Sequence, residues 1–271
     1  MLIDIAPYRV HPGSAVDLRT FDTRDTGEFE GGKAAARAVH KDMTARLAEL
    51  QEKFYADGGH RLLMVLQATD TGGKDSTIKK VFRGVNPAGV RMASFKQPTH
   101  QELARDYLWR VHSRVPRDGE ITIFNRSHYE DVLIVRVKDM VSEDVWSKRY
   151  AHINDFERLL ADEGTTIVKI FLHISKDEQR ERLQARLDDP TKHWKFNTGD
   201  LAERERWDDY QAAYEDMLER TSQTHAPWFI VPADRKWYRN LVVSSILIDA
   251  LESLDLQYPP NTEDLGDVVI D

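Results

Sequence analysis

Apolar positions along the chain switch repeatedly between two periods. Over residues 33–56, Ala36, Val39, Met43, Leu47, Leu50 and Phe54 recur at steps of three and four, which is one stripe of an amphipathic helix, and Gly58-Gly59 ends it. Leu62-Leu63-Met64-Val65-Leu66 follows. That run is too short for a helix and lacks alternation, so it predicts a parallel strand buried on both faces. The same reasoning predicts strands at 90–95, 121–124, 166–172 and 228–231, five in all. Between them it predicts helices at 102–115, at 142–163 with Ser142 capping the first turn, from Ser175 onward, up to about Thr221 after a polar stretch at 188–200, and at 238–254. Strands alternating with helices imply an α/β fold with a parallel sheet covered on both sides.

Before about Gly32 there is no sustained period, and Pro7, Pro12 and Gly13 interrupt the chain. Residues 1–32 therefore read as an arm lying on the main body. No repeat or linker divides residues 1–271, which predicts a single domain, and the tail from Gln257 with Pro259-Pro260 reads as loosely held.

Composition narrows the chemistry. The 271 residues contain no Cys, which excludes disulfides, thiolate metal sites and iron-sulfur clusters. No apolar run approaches the roughly 20 residues of a membrane helix, and the first ten residues lack the order of a secretory signal, so a cytoplasmic protein is expected. A net charge of −8 argues against nucleic acid or an anionic membrane as a general partner. Yet residues 61–136 carry 13 Lys and Arg against 8 Asp and Glu, while residues 137–271 carry 17 against 28. The excess points to a local anion site in the middle of the chain, with chance clustering of solvated charges as the other reading.

Within that basic segment lies Ala68-Thr69-Asp70-Thr71-Gly72-Gly73-Lys74-Asp75-Ser76, between the first buried strand and a helix. Glycines there let backbone N–H groups converge on phosphate oxygens, the following helix presents its positive end, and Lys74 adds a movable cation. The pattern GxxxxGK[ST] is broken twice. Ala68 stands where the first Gly belongs, and Asp75 replaces the Ser or Thr that holds magnesium. Asp70 beside phosphates implies a cation between them, hence magnesium; its alternative role is to cap the next helix.

A second constellation, Asn125-Arg126-Ser127-His128-Tyr129-Glu130-Asp131, follows another predicted strand at the carboxyl end, where ligands gather in open parallel sheets. Arg126 can clamp a phosphate, and Asp131 or Glu130 can position metal, with Arg136 further along; a helix start capped by Asn125 or Ser127 is the alternative. A third group is Arg180, Arg182 and Arg186, of which the last two share a helical face and can grip successive phosphates. Equally, Asp177, Glu178 and Glu181 can pair with them on a solvated helix. Trp109, Trp146, Trp207 and Trp237 read as core residues. No HExxH spacing and no GxSxG elbow is present, which leaves zinc catalysis and an acyl-transfer triad without support.

Taken together, Phe29-Glu30-Gly31-Gly32-Lys33, Asp70-Thr71-Gly72-Gly73-Lys74-Asp75, Val81-Phe82-Arg83-Gly84-Val85-Asn86-Pro87, the 124–131 motif, Glu178-Gln179-Arg180 and Trp194-Lys195-Phe196 resemble the family-2 polyphosphate kinases over nearly the whole chain. The resemblance is greatest to the subgroup, class III, that handles both nucleoside mono- and diphosphates. It implies a P-loop kinase-like three-layer α/β/α sandwich, with a mobile helical lid over about 175–221. It also implies inorganic polyphosphate as phosphate donor, AMP, ADP and ATP as nucleotides, magnesium as cofactor, and assembly into homodimers or homotetramers. By the same resemblance Asp70, Gly72, Gly73 and Lys74 match the phosphate and magnesium loop, Asn125 and Arg126 the second motif, and Arg182 and Arg186 the lid.

Many relatives have Asp where this chain has Asn125, which leaves Asp131 as the second expected metal carboxylate beside Asp70. Thr69 and Ser76 also depart from the commoner Met and Gly. The resulting expectation is a polyphosphate groove or tunnel lined by Lys74, Lys79, Lys80, Arg83, Arg126, Arg136, Arg182 and Arg186, with Thr71, Gly72, Gly73, Asp75, Ser76, Asn125 and Glu130 also binding phosphate or nucleotide. An ATP-dependent nucleoside or nucleotide kinase, and a non-catalytic phosphate-binding module, are the competing functions.

Overall fold

The stripe of the first helix becomes α1 (Gly32–Asp57) in a computed structural model that describes residues 2–261. Ala36, Met43, Leu47, Leu50 and Phe54 are buried along it, and Val39 packs partly against the same core. Gly58 ends the helix in the left-handed region at φ 66°, donating its N–H to the Phe54 carbonyl, a conformation that favours glycine.

Five strands, β1 (Arg61–Ala68), β2 (Val90–Ser94), β3 (Ile121–Asn125), β4 (Thr165–His173) and β5 (Trp228–Pro232), form one parallel sheet in the order β2-β3-β1-β4-β5. The remaining helices are α2 (Lys74–Val81), α3 (His100–Leu103), α4 (Trp109–His112), α5 (Ile134–Val137), α6 (Glu143–Asp162), α7 (Lys176–Leu187), α8 (Gly199–Glu205), α9 (Trp207–Thr221) and α10 (Lys236–Glu252). Successive side chains of a strand face opposite sides. Leu62, Met64 and Leu66 of β1 therefore pack into a core with α1, α2 and α10, while Leu63 and Val65 pack into another with α6 and α9. The result is the expected three-layer α/β/α sandwich, its central strands mostly apolar and buried because neither face meets water, with Gln67, Thr122 and Lys169 as buried polar exceptions.

Three local expectations fail, each for a physical reason. The helix expected over 102–115 divides into α3 and α4, because Thr99 and Glu102 form a capping box that starts one early, and the Asp106 carboxylate accepts from the Leu108 and Trp109 N–H groups to start a second. Ser142 precedes α6 without capping it through its side chain; its carbonyl accepts from Val145 and Trp146 instead. Trp109 is 44% exposed, with the Arg105 guanidinium 4.3 Å over its ring, so it is no core residue, whereas Trp207 is buried.

The first 32 residues run along the β5 side. Arg9 bridges to Phe229, the Val10 N–H donates to the Trp228 carbonyl at 2.9 Å, and Thr23 Oγ1 donates to Asp234 Oδ2 at 2.9 Å. At the other end the Gln257 N–H donates to Asp57 at 2.8 Å, so the tail is tied at its start. From residue 262 onward it lies outside the described residues.

Candidate active site

The loop 69–73 leaves β1 at its carboxyl end, between the ends of β3 and β4, where the strand order turns back on itself. Two of its positions demand their residues. A Cβ on Gly72 would lie 2.5 Å from the Ala68 Cβ and 2.9 Å from the Thr69 carbonyl oxygen, and Gly73 has φ 103°. Thr71, which carries a side chain, is nevertheless held at φ 61°, a strain of the kind that surrounding structure imposes at functional sites. Lys74 opens α2 and donates from Nζ to the Ala68 carbonyl at 2.9 Å. Burial pulls its pKa down, against the opposing pull of Asp70.

Asp70 does not cap α2. Gly73 holds the capping position, and Asp70 Oδ1 instead accepts from Arg126 Nη2 at 2.9 Å, joining the glycine loop to the second motif. Arg126 follows β3 with φ 62°, again left-handed. Ser127 does serve as a cap, its Oγ accepting from the Tyr129 N–H, whereas Asn125 donates to Asp75 Oδ1 at 2.7 Å.

Around these residues opens a cleft of about 790 Å³, lined by Asp70, Thr71, Gly72, Gly73, Lys74, Asp75, Ser76, Asn125, Arg126, Arg182 and Arg186 among the expected residues. Lys96, Lys192, Lys195, Lys236 and Asp200 line it too, and sequence reasoning did not single them out. Eight cationic side chains face three carboxylates there, a strongly positive wall on an acidic protein. A smaller cavity of about 270 Å³ adjoins it, lined by Glu130, Lys138, Glu203, Tyr210 and Tyr214, and Asp70, Arg126 and Asp200 line both. Burial raises the pKa of Glu130 and of Asp200, and the neighbouring Asp70 charge adds to each rise.

Five expected residues stand elsewhere. Asp131 accepts from Arg149 Nη1 at 3.1 Å, has Arg110 4.0 Å away and lines neither cavity, apart from Asp70. On the tight turn of residues 128–131, Glu130 is the carboxylate directed to the smaller cavity. Arg136 pairs with Asp216, and its guanidinium lies 4.6 Å over the Trp146 ring. Lys79, Lys80 and Arg83 are exposed and line neither cavity, because only the first turn of α2 borders the cleft and they follow it.

Arg182 lines the cleft as a brace. Nη1 donates to the carbonyls of Thr71 and Gly72 at 3.1 and 2.9 Å, Nη2 to the Ala233 carbonyl at 2.5 Å, and Nε to Glu178 at 2.7 Å. Gln179 adds a bond to the Asp70 carbonyl at 3.1 Å. Helix α7, capped by Ser175, is thereby fastened to the glycine loop. Arg186 keeps only longer contacts, 3.2 Å to the Lys195 carbonyl and 3.4 Å to Asp200, while Arg180 pairs with Asp177 outside the cleft.

Behind the second motif lies a buried polar network. Lys169, in the middle of β4, donates to Glu157 Oε2 at 2.5 Å and to the Thr221 carbonyl at 2.6 Å; Tyr129 and His128 bond the other Glu157 oxygen. Burial would raise the Glu157 pKa, but Lys169 and His128 hold it below the usual value. The network ties the 126–131 turn to β4, α6 and the end of α9.

Among the described residues no group of three or more acidic or His side chains is arranged to hold a metal unaided. Magnesium commonly binds through one or two carboxylates, substrate phosphates and retained waters, so Asp70, one of the three cleft carboxylates and the one inside the glycine loop, fits an ion that arrives with phosphate.

The model of the family described as polyphosphate kinase 2 matches residues 31–259. Over 252 residues, 93% of this chain and 94% of the relative, the sequence is 62% identical to the AMP/ADP-polyphosphate phosphotransferase of Meiothermus ruber. It is 43% identical to the ADP-polyphosphate phosphotransferase of Rhodopseudomonas palustris, over 97% of this chain and 94% of that one. The crystal structure of polyphosphate kinase 2 from Arthrobacter aurescens superposes with a TM-score of 0.92 at 48% identity, covering 96% of this chain and 93% of that one. An altered glycine loop at the carboxyl edge of a parallel sheet, a basic cleft above it and these likenesses agree: the chain belongs to the polyphosphate kinase 2 family.

Proposed function

We propose that this protein transfers the terminal phosphoryl group of inorganic polyphosphate to ADP and to AMP, reversibly and with magnesium. The observation that carries the reading is the meeting of the basic cleft with the smaller cavity at Asp70 and Arg126, beside the glycine loop. The cleft suits a chain of phosphates, and the junction suits the point where donor and acceptor phosphates approach. A terminal oxygen of the acceptor attacks the last phosphorus of the chain, the bridging P–O bond breaks, and a chain one phosphate shorter leaves. That attacking oxygen is already ionised near neutral pH, so no general base is needed.

Lys74, the loop N–H groups and Arg126 would hold and neutralise phosphate oxygens, and Arg186 with Lys192 and Lys195 would follow the chain outward. Magnesium at Asp70 would supply charge neutralisation between the phosphates. Residues 175–221 would close over the site and exclude water. The acidic chain without a long apolar helix among its described residues suits the cytoplasm, and the family resemblance supports a homodimer or homotetramer.

Purified protein is given magnesium, polyphosphate and either ADP or AMP, with no ATP, against a Lys74→Ala control. The expected result is ATP from ADP, and ADP then ATP from AMP, with a loss of about a hundredfold or more in the variant. Turnover that required ATP as donor would establish the ordinary kinase reading instead. Polyphosphate binding without turnover would mark a binding module.

A further inference from the structure

Directly beneath the glycine loop, in the first turns of α10, Arg239 is 1% exposed. Nε and Nη2 donate to the Asn240 side-chain oxygen at 3.2 and 2.8 Å, and Nη2 also reaches Ser76 Oγ at 3.2 Å. Nη1 has no hydrogen-bond partner. It lies against Gly73, where an added Cβ would come within 2.3 Å of it, so glycine is required at 73 to admit the guanidinium as well as to permit the backbone angle.

No carboxylate among the described residues forms an ion pair with Arg239. Arg182, the neighbouring charge, is itself cationic and already paired with Glu178. Burial and Arg182 lower the Arg239 pKa to about 9, which leaves the group charged at neutral pH. A buried charge lacking its counter-charge is costly to the fold. The missing negative charge has an obvious place: the outer side of the loop, across Gly73, in the basic cleft.

We infer that Arg239 is a further determinant of polyanion binding, a buried cation whose counter-charge is supplied through the thickness of the loop by phosphate bound above Gly73. It rests on the reading of the loop as the phosphate site. Arg239 does not line the cleft; it acts through its charge and through Ser76, as a positioning residue. Phosphate binding and folding stability are then coupled more tightly than surface contacts alone would make them.

Inorganic tripolyphosphate with magnesium is the probe, and its dissociation constant is measured by calorimetry on the wild type, Arg239→Gln and Arg239→Lys. Arg239→Gln removes the charge, and binding is expected to weaken about tenfold; Arg239→Lys keeps the charge without the fork and should stay within about threefold of wild type. A structural role alone predicts that the two variants behave alike, and either that result or wild-type affinity in Arg239→Gln overturns the inference. Should Arg239→Gln not fold, Arg239→Met takes its place in the same comparison. If tripolyphosphate binds the wild type and Lys74→Ala equally, the loop reading falls, and this inference with it; if only Lys74→Ala loses affinity, the loop reading stands alone.

Discussion

Asn125 donates its side-chain amide to the Asp75 carboxylate at 2.7 Å, joining the tip of β3 to the first turn of α2. These are two positions at which the sequence departs from expectation, Asp75 from the usual loop and Asn125 from the Asp of many relatives. The structure makes them partners. A carboxylate at 125 would face the carboxylate of Asp75, so Asn125→Asp should replace a hydrogen bond with repulsion. Because Asp75 is exposed, the expected cost in chelator is about 1 kcal/mol, a fall of about 2–4 °C in the unfolding midpoint. Magnesium should recover most of it by lying between the two carboxylates. An unchanged midpoint in chelator would show that the contact contributes nothing.

Arg182 and Arg186 share a helical face and should nevertheless respond differently. Arg182→Ala leaves Glu178 and three backbone carbonyls without their donor, and is expected to cost about 3–5 kcal/mol. Arg186→Ala should hold stability to within about 0.5 kcal/mol and raise KM for polyphosphate. Denaturant unfolding beside steady-state kinetics separates the two, and equal stability losses would contradict the brace.

The buried pair behind the second motif makes a sharper stability prediction. Lys169→Met strands the Glu157 charge, so a loss of about 3–5 kcal/mol is expected, while the double variant Lys169→Met/Glu157→Gln should regain part of it. A double variant less stable than the single would refute the account. Since the same network holds the 126–131 turn, activity measured well below the new unfolding midpoint should also fall.

Raised acidic groups near Asp70 set a pH dependence. Glu130 is raised by burial first, so the folded state keeps its proton to higher pH than the unfolded chain does. Its contribution to stability is therefore full below the unfolded pKa of about 4.5 and is lost as pH rises through the folded value. Unfolding of the protein without ligands should show a decline above about pH 5 that Glu130→Gln reduces. Parallel profiles for the two proteins would exclude Glu130 as its source.

Most of the sheet was legible because β1 holds an uninterrupted apolar run over 62–66 and the other central strands are short and mostly apolar, as burial on both faces requires. The glycine loop was legible for a different reason, since Gly72 and Gly73 answer constraints of backbone approach and angle. Arg182 lines the cleft and pairs with Glu178 at helical spacing, but its other acceptors are main-chain carbonyls of the loop and of Ala233 just after β5, and no side-chain spacing encodes those. That Glu130 lines a cavity and Asp131 does not was not legible, because a tight turn sends adjacent side chains in different directions. Lys195 had a signal in the Trp194-Lys195-Phe196 motif, whereas Lys192 had none, and Lys96, Lys236 and Arg239 reach the site only through the folding of distant elements.

Both ends of the helical segment over 175–221 are planted in the body of the protein. At its entry Ser175 gives its N–H and hydroxyl to Asp234, the carboxylate that also receives Thr23 of the arm. At its exit the Thr221 carbonyl takes a bond from Lys169, and Ser222 Oγ donates to the Val10 carbonyl. Helix α9 is itself buried in the core through Ala213, Tyr214, Met217 and Leu218, which leaves residues 176–206 as the part able to act as a flap. Any swing of that part must break the contacts of Arg182 and Gln179 with the glycine loop while sparing the feet, so its latch and its anchorage are chemically separate.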